Sequence, residues 1–202
     1  MASSTHPDDL PSPDAMWLGE RIVPWALVEG YRAGLEENAF EKATAGRFAD
    51  SDLPTLRAHA NEAMRPVLDE AFPMELLAGI SAQFLSHHYS AEELRALRAH
   101  EESPLGQKLR AFEQRAAALP GPTPEARAKA REALARQTFS TGEQKDLEAF
   151  ANSPLGRKGV ALSPELAAFY VNQLERHRTS IQRDLDERLR RSVEAVLPAA
   201  GR

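Results

Sequence analysis

The sequence predicts an all-α fold, and three observations carry that prediction. The chain holds 34 Ala and 24 Leu against 7 Val, 3 Ile and 7 Thr. Ala and Leu are strong helix formers, while the β-branched residues that fill strands are scarce. Apolar residues recur at steps of three and four, not two. Several prolines follow a capping residue: Ser103-Pro104, Thr123-Pro124, Ser153-Pro154 and Ser163-Pro164. There the Ser or Thr oxygen caps and Pro takes the first helical position, where a missing N–H costs nothing. The expectation is a bundle-like domain of about seven to nine helices over residues 15–198. Residues 1–14, with three prolines and three aspartates, read as a disordered leader.

The elements follow in order. A first segment over Ala15–Arg47 is broken or bent at Pro24. A second runs from Pro54 to Phe72 and is interrupted at Pro66. A third covers Pro73–His87. Ala91–Glu102, Pro104–Leu119, Pro124–Thr138 and Thr141–Asn152 are the next four. Pro120-Gly121-Pro122 is a breaker between two of them. A short helical turn follows Pro154. The last and longest helix is expected from Pro164 to Leu197. Leu166, Tyr170, Leu174, His177, Ile181, Leu185, Leu189, Val193 and Val196 draw one apolar stripe along it. That stripe is either an intramolecular spine or a dimer seam. Its steps are mostly four, which disfavours a strict heptad.

The most specific feature is an internal repeat at an offset of fifty. Residues 90–108 align with 140–158, and nine of 19 positions are identical. Ser90 with Glu93, and Ser140 with Glu143, are capping boxes: the Ser oxygen takes the N3 amide and the Glu returns to the cap amide. Tyr89 and Phe139 stand just before the caps. Ser103 and Ser153 precede Pro104 and Pro154, so each helix stops there and the serine caps the next. Gly106 and Gly156 fall in the following first turn, where a close helix–helix approach accounts for them. Lys108 and Lys158 lie near the positive end of the helix dipole, which is unfavourable unless a specific partner such as a carboxylate offsets it. Read for function, Ser-Pro-x-Gly-x-Lys suggests an anion cradle. Read for structure, it is a sharp helix–helix corner used twice. The proline at N1 removes one amide donor and no glycine-rich loop follows a strand, so the corner is preferred.

Phe150-Ala-Asn-Ser153-Pro154-Leu155-Gly156-Arg157-Lys158, preceded by Glu143 and Leu147, resembles the signature of a bacterial domain family of unknown function. That signature is an aromatic-x-x-Ser-Pro-x-Gly-x-Lys motif. The first copy matches with His100 in place of the aromatic. The resemblance covers roughly residues 72–171. It implies an all-helical protein exported to the Gram-negative periplasm, and a role for some members as immunity proteins beside secreted antibacterial effectors. None of the matched residues is implied to be catalytic.

Composition excludes further classes. The chain has no cysteine, so disulfides, thiolate metal sites and a cysteine nucleophile are ruled out. Net charge is −5, from 25 Lys+Arg and 30 Asp+Glu with the signs interspersed. Nucleic acid is therefore not an expected partner. No apolar run is long enough for a membrane span. The first residues lack the charged and apolar regions of a signal peptide. The start reads either as cytoplasmic, or as a mature exported chain whose signal is replaced by Met-Ala-Ser. The six histidines show no paired metal-ligand spacing, and no metal or cofactor is expected. No serine sits in a nucleophile elbow. Trp17 and Trp25, eight apart, read as core or as an aromatic anchor for a protein. Tyr31 and Phe40 would extend such a surface. Glu101 and Glu102, at a helix C-terminus where acids are disfavoured, mark an exposed interaction corner.

The sequence-based expectation is a non-catalytic, periplasmic protein-binding protein. Its sharpest form is an immunity protein that neutralises a secreted toxin. The alternatives are a structural or envelope-maintenance module that self-associates along the last helix, and an enzyme with an unrecognised site. Oligomeric state is left open.

Overall fold

A computed structural model describes residues 10–45, 53–117, 119 and 123–196. Among them the secondary structure is ten helices and no strand. They are α1 (Pro13–Gly19), α2 (Trp25–Thr44), α3 (Leu53–Ala71), α4 (Met74–His88), α5 (Ala91–Glu102), α6 (Pro104–Ala117), α7 (Pro124–Thr138), α8 (Thr141–Ala151), α9 (Pro154–Glu175) and α10 (Arg178–Val196). No helix of the described residues is long and apolar enough to cross a membrane.

Local signals place most boundaries. Ser12, Thr123 and Ser153 each accept a backbone N–H three residues on and start α1, α7 and α9. The α5 and α8 starts are capping boxes with both reciprocal bonds formed. Three boundaries differ from the sequence expectation. The leader expected over 1–14 gives way at Ser12, because its cap commits Pro13 and Asp14 to α1; residues 1–9 lie outside the described residues. Pro66 interrupts nothing: α3 runs through it. The lost backbone bond costs about 3 kcal/mol, and burial of Met64 and Leu68 on either side offsets it. The expected long last helix is two helices. One begins ten residues early, at Pro154, and carries Pro164 inside it; it ends at Glu175, with Arg176 as its C-cap. The second starts at Arg178. His177, expected on the apolar stripe, is exposed at this break.

Three apolar clusters hold the fold. The largest joins α2, α3, α4, the C-terminal half of α9, and α10. Tyr170, Leu174, Ile181, Leu185 and Leu189 of the stripe lie in it. The stripe therefore packs inside the chain, α10 against α2 and α3. The second cluster joins α1, α4 and α5 through Ala15, Leu18, Ala82, Leu85 and Leu94. Gly19 lets α1 lie on α4: a Cβ there would overlap the Ala78 carbonyl and Ala82. The third cluster is Phe112, Leu134 and Phe139, under α6 and α7.

Candidate functional site

The site is built from the two corners, α5–α6 and α8–α9. Ser90 Oγ accepts from the Glu93 amide at 3.2 Å, and Glu93 accepts from the Ser90 amide at 2.8 Å. Glu143 and Ser140 repeat this at 3.3 and 2.8 Å. Ser103 and Ser153 are extended before their prolines, with ψ of 155° and 161°. Each serine then accepts the Gly106 or Gly156 amide at 3.0 Å. A Cβ on Gly106 would land on the His100 carbonyl and the Glu101 backbone, and one on Gly156 on the Phe150 carbonyl and the Ala151 backbone. The glycines thus allow the second helix to start against the end of the first.

The two corners lock into each other. Lys108 Nζ donates to both Glu143 oxygens, at 2.6 and 2.8 Å. Lys158 Nζ donates to both Glu93 oxygens, at 2.8 and 2.7 Å. Each lysine of one corner therefore binds the capping-box glutamate of the other. Lys108 also lies over the Phe139 ring at 5.7 Å and Lys158 over Tyr89 at 4.7 Å. His100 and Phe150 meet between the corners, with ring centroids 3.6 Å apart and planes 1° from parallel. Electrostatics follow from this geometry. The Lys108 ammonium, then the Ser140 amide, holds the Glu143 carboxyl down at about 2. Lys158 and the Ser90 amide hold Glu93 below its ordinary value. Both motif lysines are occupied by carboxylates, so neither is left free to serve an anion cradle.

Two hollows flank this pair. A cavity of about 240 Å³ lies where α1, α4, α5 and α9 meet, walled by Leu18, Phe84, Tyr89, Leu97, Leu162 and Leu166. Glu101 lines it and is paired with Arg110. A more open groove of about 550 Å³ runs between α6, α7 and α8, with Leu109, Phe112, Ala135, Phe139 and Leu147 as its floor. Arg131, Glu132, Arg136 and Gln144 form its rim.

The candidate partner-binding residues separate. Trp17 is half-buried beside the second cluster, with the Arg21 and Arg98 guanidiniums over its ring at 3.6 and 4.9 Å. Arg98 also bonds Glu102 at 2.9 Å and Asp14 at 3.0 Å. Trp17 and Glu102 thus share one arginine. Trp25 opens α2 instead, 45% exposed, and makes none of these contacts. A surface extended through Tyr31 and Phe40 does not form: Phe40 is buried, and Tyr31 packs edge-on against Phe72. The groove is the feature sequence reasoning missed. Its only trace was the pair Phe139 and Leu147, spaced eight apart across a cap.

A comparison of the chain with protein-family models, with curated proteins and with solved structures finds no match.

Proposed function

We propose that this is a non-catalytic protein-binding protein of the bacterial periplasm, and that it acts as an immunity protein which neutralises a secreted antibacterial effector. The observation that carries this reading is the groove between α6, α7 and α8. It offers an open apolar floor framed by charged residues, the composition of a patch that desolvates against another protein. The interlocked corners behind it make a platform that needs little ordering on binding, which favours affinity. The Ser-Pro-x-Gly-x-Lys residues then serve as scaffold in both copies. A net charge of −5 speeds encounter with a basic effector.

The test is co-purification with the product of the adjacent gene, followed by growth rescue of cells that express that product in the periplasm. Capture together with rescue is the expected result. Neither capture nor rescue would remove the reading. Fractionation of the native host tests the compartment: recovery in the cytosol alone contradicts a periplasmic role.

A further inference from the structure

Five residues that line the cavity have a counterpart in the groove at the fifty-residue offset. Leu85, Tyr89 and Leu97 of the cavity have Ala135, Phe139 and Leu147 of the groove fifty positions later. Gly159 and Leu162 have Leu109 and Phe112 fifty positions earlier. The elements correspond too. α7 has the bounds of α4 moved by fifty at both ends. The α4–α9 packing has its counterpart in α7–α6. The repeated unit is therefore three helices rather than one corner.

One helix breaks this correspondence. At the cavity, α1 lies across α4 and α5, and Leu18 and Ile22 complete the wall. Ala15 and Leu18 cover Leu94. At the groove, no helix of the described residues takes that place, and α8 has no buried residue. The hollow is correspondingly larger and open. Its surroundings are adjusted to water: Gln144 stands for Leu94 and Glu132 for Ala82. Such a rim suits a cover that comes and goes. The charge also differs. Arg98 receives Asp14 of α1 at 3.0 Å, and its counterpart on α8 is Glu148, which is exposed.

We infer that the groove is a docking site for an amphipathic helix of a partner protein, seated as α1 is seated at the cavity and carrying Arg or Lys where α1 carries Asp14. The small and aliphatic residues of that helix fill the space over Phe139 and Leu147, and its basic residue meets Glu148. The α1 of a second copy is disfavoured, since its Asp14 would face Glu148. This inference rests on the protein-binding reading above and names the surface and the chemistry of the partner.

The cysteine-free chain permits a single reporter. Arg136→Cys on the groove rim carries an environment-sensitive dye in the full-length protein. The probes are two lactam-bridged helical peptides of the sequence 12–22, one with Asp14 kept and one with Asp14→Arg. The Arg peptide is expected to shift the dye with a Kd about two- to fivefold lower than the Asp peptide, the worth of one exposed ion pair. Leu147→Glu should remove the response to both. Glu148→Arg is a surface change that leaves packing untouched, and it should reverse the preference. No response to either peptide, or a response indifferent to both substitutions, overturns the docking site. Capture of the effector by wild-type protein and equally by Leu147→Glu and Glu148→Arg would overturn it too, while leaving the protein-binding reading intact.

Discussion

His100 and Phe150 occupy the same position in two segments fifty residues apart, and their rings stack face to face at 3.6 Å. A residue and its repeat counterpart can meet in this way only near an axis that relates the two corners. The reciprocal Lys108–Glu143 and Lys158–Glu93 pairs lie to either side of that contact. The repeat is thus a contact within the fold, with each copy completing the other.

The stack predicts the effect of giving the first copy the aromatic that the second copy carries. His100 Nε2 is buried without a hydrogen-bond partner. His100→Phe keeps a ring against Phe150 and removes that atom, so stability should rise by about 1 kcal/mol. His100→Ala should lower it. Thermal unfolding of both variants decides, and a destabilised His100→Phe would count against the stacked arrangement.

Glycine substitutions separate close approach from helix propensity. Ala normally gains up to about 1 kcal/mol over Gly inside a helix. At Gly34 nothing lies within 4 Å of an added Cβ, and Gly34→Ala should show that gain. At Gly106 and Gly156 the Cβ would overlap a backbone carbonyl, and each Ala should cost about 1–3 kcal/mol. Urea denaturation of the three variants is the measurement. Equal behaviour at all three sites would mean that the corners are not tight.

Acid should weaken the interlock in a defined window. Glu143 falls from 4.5 to about 2 on folding, chiefly through Lys108. A depressed carboxyl stabilises fully above its unfolded value and loses that contribution as pH falls through its folded value. The loss should therefore run from about pH 4.5 down to 2. Lys108→Met should be less stable at neutral pH and should lose less over that window. Unfolding midpoints taken at stepped pH would show the two curves converging; parallel curves would remove the pairing from the account.

A polar junction lies in the core. The Tyr170 hydroxyl donates to the Leu77 carbonyl at 2.6 Å and accepts from Ser81 Oγ at 2.5 Å. Burial pushes its pKa to about 12. Tyr170→Phe leaves the buried Ser81 hydroxyl short of a partner, and about 1–3 kcal/mol should be lost. Adding Ser81→Ala should recover part of it, because contacting residues are not additive. A fully additive double mutant would show that the two hydroxyls act independently.

Much of the chain was legible because its signals are local. A Ser three residues before an amide caps it whatever the tertiary fold. A residue before proline leaves the α region for steric reasons alone. Hence the starts of α5, α7 and α8 fell where the capping residues placed them. The same local rules erred at Pro66 and Pro164. There a helix continues, since a broken backbone bond is outweighed once several turns are buried. Tyr170 and Leu174 sit on that buried face of α9. The stripe that ran on through His177 is divided in two, because α10 turns to pack on α2 and α3.

By itself the sequence determined helicity, the caps, the fifty-residue repeat and the glycines where two helices crowd. Helices and caps depend on interactions between residues three or four apart, the glycines on contacts five or six apart, and the repeat is a pattern of identities in the chain itself. Only the tertiary structure decided that Lys108 finds Glu143 35 residues away and Lys158 finds Glu93 65 residues back. It alone decided that the corners face each other, and that α1 covers one flank of the pair and leaves the other open. Which faces meet is set by the apolar surface summed over the whole chain, and that sum has no signature in any single segment.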